Sequence, residues 1–472
     1  MAYQTSENID KDKIFIVNKS EITTRIDPYY NKPMFSAIWH KLSSISIPVT
    51  SIKDNSQYIF SGITPKSKGD AYVLEQGIPF VRSGDFSENN EIDFSSLLLL
   101  REDIHNGIMR GSQLKKGDLL IAIVGATIGK IGVYQYDVEA NINQAICGVR
   151  LKNTLNPYYV QAFYQTNIGQ KIIDRIKRPV ARANINLEEV GNLPIPFLDS
   201  YHQNEVVKVM QEARHLKLQK EAEAQQLLDC IDDYLLNELG IKSPDLGTNI
   251  ENRIFYIHKK DCTTRFDPKY NKQITFINSL SCHYQWEKLK DVAITTGQYG
   301  ANESAIDFKD GDVRYVRITD INEFGDLKEY DKKTAKFIDK SYLLQIGDIL
   351  FARSGSVGRC YIHREDRESA IFAGYLIRYK LNTKKINPWY LFFYCNSIIY
   401  KYWINTIQRP AVQANINAEE YRTLPIPLPS LTKQNEIVNH IANIRNKAKA
   451  LQQEGKTILE KAKQSVEKMI IG

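Results

Sequence analysis

"RPVARANINLEEVGNLPIP" runs from Arg178 to Pro196, and "RPAVQANINAEEYRTLPIP" runs from Arg409 to Pro427. The second phrase lies 231 residues beyond the first, and a string this long and irregular does not recur by chance. Neighbouring words recur with it. "NPYY" at Asn156 matches "NPWY" at Asn387, and "QNE" at Gln203 matches "QNE" at Gln434, both at the same offset. "KKGDLL", ending at Leu120, matches "QIGDIL", ending at Leu350; "GATIGK" (Gly125 to Lys130) matches "GSVGR" (Gly355 to Arg359) with one residue removed. Near the start of each half, "TTRIDPYYNK" from Thr23 matches "TTRFDPKYNK" from Thr263. The small drift in offset places insertions in loops. Two homologous halves of about 230 residues therefore cover almost the whole chain.

Each half divides again. Residues 1–199 and 250–430 are mixed, with short β-branched and aromatic runs such as "DLLIAIVG", "VRYVRIT" and "DILFARSG" broken by Gly, Pro and Asn. Asn156-Pro157 and Asn387-Pro388 place Asn as N-cap and Pro as first helical residue of the apolar helices that follow. From His202 to Leu239 there is neither Pro nor Gly. Val206, Met210, Ala213, Leu216, Ala224, Leu227, Ile231 and Leu235 recur there at steps of mostly three and four, with Lys220 interrupting the stripe. After Lys433 the heptad is cleaner: Ile437, Ile441, Ile444, Ala448, Leu451, Gly455, Ile458, Ala462, Met469. At 1.5 Å per residue each helix is about 55–60 Å long. A narrow stripe of that length finds its partner most economically in the other helix, as a coiled coil. If both helices leave equivalent places on homologous domains, pseudo-twofold symmetry makes them antiparallel. The linker "GIKSPDLGTN" is too short to bring the chain back for a parallel pair. The expected fold is α+β: two mixed α/β domains separated by an intramolecular antiparallel coiled coil of two long helices, pseudo-twofold symmetric.

Composition is that of a globular protein, with 43% hydrophobic and 25% charged residues among 472. The start, "MAYQTSENIDKDK", lacks the apolar core of a signal peptide, and no run approaches the length of a membrane span, so no membrane is expected and the reading is cytoplasmic. A net charge of +7 is compatible with a polyanionic partner. The six cysteines are scattered, with no Cys-x2-Cys pair, which argues against zinc and for plain thiols in a reducing compartment. "GATIGK" lacks the spacing of an ATP-binding loop, and Ile131 stands where that loop needs a magnesium-binding hydroxyl. "NPYY" and "NPWY" lack the second Pro of an adenine methyltransferase motif and suit helix capping. The acids Asp232 and Asp233 sit on a long helix and are expected to face solvent. No spacing of His, Asp or Glu suggests a metal site or a hydrolase.

With the repeat, the long helices and the "NIN…LPIP" joints, the chain resembles the DNA specificity subunit of a type I restriction-modification system. "SGITPKSKGDAY…GIPFVRSGDF" (Ser61 to Phe86) also resembles the start of a target-recognition domain, and "YVRITDI" (Tyr315 to Ile321) its weaker partner. The resemblance implies an N-terminal segment at 1–40, a first target-recognition domain at 41–200, a central helix at 201–240, a linker and second segment at 241–283, a second recognition domain at 284–431 and a C-terminal helix at 432–472. It implies a non-catalytic chain that binds double-stranded DNA and reads one half of a split, asymmetric target with each domain. Half-sites about ten base pairs apart, near one turn of duplex, suit helices of this length. It also implies docking of two modification (methyltransferase) subunits, which use S-adenosylmethionine, and of two restriction (helicase-nuclease) subunits, which use ATP and Mg2+; the chain itself needs no cofactor. A related two-component nuclease-methyltransferase system uses a similar subunit. A coiled-coil scaffold whose end domains grip proteins is the rival from another class.

Base reading favours Arg, Lys, Asn and Gln on loops. The candidates are Thr64, Lys66, Lys68, Tyr72, Arg82 and Ser83 in the first domain, and Gln298, Tyr299, Asn302, Arg314, Arg317 and Thr319 in the second. Arg82 and Arg317 occupy matched positions in "FVRSGD" and "YVRITD". Lys130, Arg353, Ser354 and Arg359, at the glycine-rich turns, are candidates for DNA phosphates. Arg25, Asp27, Tyr29, Arg265, Asp267 and Tyr270 are assigned to partner binding or helix packing. So are Val206, Met210, Leu227, Ile231, Ile437, Ile441, Ile444, Leu451 and Ile458 on the long helices.

Overall fold

The computed structural model describes residues 10, 13–22, 25–65, 70–87, 91–178, 183–242, 256–258, 266–408 and 414–472. The chain divides into two compact units, Met1–Glu221 with Gln452–Gly472, and Ala222–Leu451. Each unit thus takes part of the central helix, Ser200–Leu239, and part of the C-terminal helix, Leu431–Ile471.

The first unit holds two four-stranded sheets. One has the order Ser56–Ser61, Ile146–Leu151, Leu119–Ala122, Ile131–Val133; the other Tyr72–Val73, Leu98–Leu100, Ile78–Val81, Asn141–Ile142. Strand Leu119–Ala122 is buried along its whole length because both faces are covered. Leu119 and Ile121 enter a core with helix residues Tyr159, Tyr164 and Ile172, while Leu120 faces a second core with Val81 and Ile142. The second unit repeats this. Its sheets run Gln298–Tyr299, Leu376–Tyr379, Ile349–Ala352, Cys360–Ile362 and Ala305–Asp307, Lys333–Ala335, Arg314–Val316, Ala370–Phe372. Ile349 and Phe351 again face one core, and Leu350 and Ala352 the other. "GATIGK" and "GSVGR" are the hairpin turns between the matched strands.

Helix pairing is antiparallel. In the first unit Val206, Met210 and Ala213, early in the central helix, share a core with Ala462, Val466 and Ile470, late in the C-terminal helix. In the second unit Leu235 and Leu239, late in the central helix, share a core with Ile437 and Ile441, early in the C-terminal one. Ile231 packs against that second core and Ile458 against the first, while Leu227, Ile444 and Leu451 are half-buried.

Three details of the stripe depart from expectation. Leu216 is 44% exposed and its neighbour Lys217 is buried. The heptad therefore continues through Lys217 and Lys220. Lys217 lies against Gly455, where an added Cβ would stand 3.3 Å from its Cγ, and its ammonium reaches Glu221 at 2.7 Å. A lysine stem can fill a seam while its head leaves at the edge. Met469 is exposed, and Val466 and Ile470 are buried instead. From Ile458 the inward residues step by four, the drift of a straight helix relative to a strict heptad. Asp232 is half-buried and accepts a bond from the Ile398 N–H. Its carboxyl is pushed up by burial, against the pull of Lys401 and that bond. The expectation of a solvent-facing acid holds for Asp233 alone, because Asp232 meets the first turn of helix Ile398–Ile407.

Candidate nucleic-acid interface

The repeated words are first of all joints. In "NIN", Asn184 bridges Val124 and Asn415 bridges Ser354, beside the glycine-rich turns. Ile185 and Ile416 are buried. Asn186 and Asn417 form capping boxes with Glu189 and Glu420, at 2.7–2.9 Å. In "LPIP", Pro194–Pro196 pairs with Val49–Ser51, and Pro425–Pro427 with Trp286–Lys288. Proline offers no N–H, so the free carbonyls decide the fit. Tyr159 and Tyr390 donate to Pro196 and Pro427, both at 2.6 Å. Tyr164 and Tyr394 donate to Pro194 and Pro425 at 2.7 and 2.9 Å. Burial pushes all four phenols up. "QNE" locks the long helix to this joint. Gln203 accepts from the Asn156 N–H at 2.8 Å and donates to the carbonyls of Thr154 and Leu198; Gln434 does the same with Asn387, Lys385 and Pro429.

The segments "RIDPYYNK" and "DPKYNK" pack on their own units. Arg25 donates to the Ile176 carbonyl at 2.9 Å and pairs with Asp27 at 2.7 Å. Burial works against the Asp27 carboxylate, but the Tyr30 N–H and Arg25 hold it below the usual range. Tyr29 meets Phe35 edge-on, and burial raises its phenol. Asp267 caps helix Pro268–Ser279 through the Tyr270 N–H at 2.7 Å, and Tyr270 packs against the second unit's core. Arg265 lies outside the described residues, as do Lys66 and Lys68.

Many of the proposed DNA-facing side chains are held within their own domains. Arg82 and Arg317 precede one-turn helices, Ser83–Asp85 and Ile318–Asp320, and each grips the acid three residues on. Arg82 meets Asp85 at 2.8 and 3.1 Å and Arg317 meets Asp320 at 2.7 and 3.1 Å, so the matched arginines share a structural task. Lys130 donates to the Phe86 carbonyl at 2.9 Å, and Arg359 donates to that of Ile321 at 2.6 Å. Each thereby staples its hairpin turn to the chain just after the one-turn helix. Tyr72 donates to the Pro65 carbonyl at 3.2 Å; Thr64 bonds to Gln144, and Ser83 is half-buried.

In the second unit Gln298 bonds to Arg378, and the Tyr299 hydroxyl takes the Ala418 N–H at 3.1 Å. Arg353 lies over the Tyr299 ring at 4.9 Å. Two candidates face inward. Arg314, on strand Arg314–Val316, is 1% exposed and pairs with Glu368 at 3.1 Å. Ser354 is buried in its bridge to Asn415. Sheet pairing takes both out of reach of a ligand. Asn302 and Thr319 remain exposed. Sequence reasoning passed over Lys336 and Phe337, just beyond strand Lys333–Ala335; Phe337 is 64% exposed and Lys336 lies 5.5 Å from its ring. The apolar pair Phe337-Ile338 following Lys336, with Lys340 close behind, was the available signal.

Among the described residues no group of three or more His, Cys, Asp or Glu is placed to hold a metal, and no helix is long and apolar enough to cross a membrane. The five described cysteines are free thiols.

Duplicated sheet-and-helix modules with long helices paired antiparallel within each unit define a class of architecture, and comparison gives part of it a likeness. Residues 284–461 match the family model described as "Type I restriction modification DNA specificity domain". The type I restriction enzyme EcoBI specificity subunit of Escherichia coli is 27% identical over 136 residues, 29% of this chain and 28% of that protein. The putative type I restriction enzyme MjaX specificity subunit of Methanocaldococcus jannaschii is 30% identical over 159 residues, 33% of this chain and 36% of that one. The matched stretches thus span little more than a third of these relatives at most. A crystal structure of a type I restriction-modification system S subunit from M. genitalium superposes with a TM-score of 0.41 at 10% identity, covering 90% of this chain and 96% of that one, too loosely to add weight. Over residues 284–461 the chain is thus similar to the DNA specificity domain of type I restriction-modification systems.

Proposed function

We propose that this chain is the DNA-reading subunit of a type I restriction-modification complex, each unit reading one half of a split target. The carrying observation is that residues 284–461 match a DNA specificity domain, while the first unit repeats the same sheets, turns and joints. Affinity comes mainly from phosphate contacts and counterion release, and a few side chains per half supply sequence choice. Lys66, Lys68, Asn302, Thr319, Lys336 and Phe337 are the proposed reading side chains. Arg82, Arg317, Lys130 and Arg359 act by shaping the loops, and Arg353 and Tyr299 by lining them. The long helices set the number of unread base pairs and, with the segments at 25–30 and 267–271, present surfaces to two adenine methyltransferase subunits. Methyl transfer and cleavage, with S-adenosylmethionine, ATP and Mg2+, take place in those partners and in two restriction subunits.

Selection from randomised duplexes, with the subunit bound to its methyltransferase, tests this reading. Recovery of two dissimilar half-sites with a fixed gap is expected. A pool without enrichment would favour the protein-gripping scaffold.

A further inference from the structure

Arg214 on the central helix and Arg445 on the C-terminal helix stand at matched positions, 231 residues apart, in very different company. Arg445 pairs with Asp326 at 2.8 Å and lies over the rings of Phe392 and Phe393 at 5.5 and 5.8 Å. Asp326 is also gripped by Arg364, so its carboxylate sits between two guanidinium groups. In the first unit the matching floor is polar. Arg214 donates to the side-chain carbonyls of Gln161 and Gln165 at 3.1 and 2.6 Å, which stand where Phe392 and Asn396 stand in the repeat. These are neutral acceptors. Glu91, the counterpart of Asp326, lines the same hollow and pulls on Arg214 electrostatically, without an ion pair between the two among the described residues.

Between them lies a cavity of about 310 Å³, into which Lys130, Lys217 and Lys463 also project their flanks. Lys130 is likewise held only by main-chain carbonyls, Phe86 at 2.9 Å and Ser87 at 3.4 Å. Lys217 and Lys463 have carboxylate partners on their own helices, Glu221 at 2.7 Å and Glu460 at 3.3 Å. Two positive charges whose hydrogen bonds go to neutral groups therefore line one hollow, with, among the described residues, only the exposed Glu91 carboxylate near Arg214. At the same place the sister unit clamps a carboxylate between two guanidinium groups. A half-buried guanidinium gains most from a charged acceptor, and burial already lowers the affinity of Arg214 for its proton.

We propose that the first unit's cavity is an anion site that takes a phosphate group, with Arg214 and Lys130 as its principal ligands and Lys463 at its rim. The phosphate seats between them as Asp326 seats between Arg445 and Arg364. It comes either from free phosphate or from the backbone of bound DNA, and takes the place of the exposed Glu91 side chain beside Arg214. The free-phosphate arm stands apart from the DNA-reading proposal; only the duplex arm rests on it.

The full chain is titrated with inorganic phosphate and pyrophosphate at constant ionic strength, following thermal stability and calorimetric binding, and separately with duplex DNA of arbitrary sequence over a range of salt. Arg214→Gln is expected to reduce affinity for free phosphate at least tenfold, and Lys463→Gln, a surface change that leaves folding intact, about threefold. If the source is DNA, free phosphate binds no better to the natural chain than to the variants. Duplex affinity then falls by the same factor for every sequence, and the salt slope shrinks by about one. Arg445→Gln serves as control: it lowers the starting stability but leaves the phosphate-induced shift and the affinities for phosphate and duplex unchanged. The site is refuted if the natural chain and Lys463→Gln match in both titrations, whether or not Arg214→Gln folds. Failure to select a split motif would instead strike the reading proposal and leave the free-phosphate result standing.

Discussion

Gln203 and Gln434 make the same three hydrogen bonds in their respective units, whereas Arg214 and Arg445, eleven residues further along each helix, share none. Both pairs come from one duplicated ancestor pattern. The glutamines are buried side chains that satisfy main-chain groups at a fixed joint, and any change leaves donors or acceptors without these partners. The arginines touch side chains, and side chains can be exchanged in concert. Agreement between the units marks where the backbone is in control; divergence marks where the linings are free to change.

The largest expected effects come from the joint. Gln203→Ala and Gln434→Ala should each cost about 3 kcal/mol, since each empties a buried side-chain position and takes the partner from three main-chain groups of the joint, and the loss should appear in the unit that carries the change. Hydrogen exchange resolved by unit checks this; a cost in one unit far above the other would break the equivalence. Arg445→Gln should cost about 2–3 kcal/mol by leaving Asp326 short of a partner, against roughly 1 kcal/mol for Arg214→Gln, whose partners are amides. Urea unfolding followed in each unit measures the gap. Tyr159→Phe and Tyr390→Phe each remove one buried bond to a proline carbonyl and should cost about 1–2 kcal/mol, equally in both units.

The smallest effect is the pH response of Asp232. Its folded pKa is raised, so the group contributes stability that is full below the ordinary carboxylate range and is lost as pH rises through the raised value. Asp232→Asn keeps an acceptor for the Ile398 N–H and removes the buried charge. Thermal melts should show the second unit slightly more stable near neutral pH and its acid-side gain reduced; an unchanged pH profile would show that the carboxylate is solvated.

Duplication, the long helices and their antiparallel pairing were all legible in the sequence, because repeated words and heptad spacing report backbone geometry directly. The joints were visible as words but not as bonds. Nothing in "LPIP" announces that tyrosines some thirty residues upstream will donate to its carbonyls. The two "DP-YNK" segments show where identical words mislead. After "DPYYNK", Pro33 starts a new helix, Pro33–Ser44. After "DPKYNK", Gln273 stands in its place and helix Pro268–Ser279 runs through. Proline inside a helix removes a bond and clashes with the preceding turn, so one residue resets the segment. The candidate reading residues were least legible. "FVRSGD" and "YVRITD" recur because Arg and Asp clasp across a one-turn helix, a local demand that looks identical to a shared ligand. Arg314 could not be placed inward until the strand pairing was known.

Replacing the proposed second recognition domain, residues 284–431, with that of a homologue, then recovering the motif methylated in a randomised duplex pool by the subunit with its proposed methyltransferase partner, tests the central claim most directly. Two modules that read separately predict a new sequence in one half, the old sequence in the other and an unchanged gap. A motif altered in both halves, or one without a gap, would contradict it.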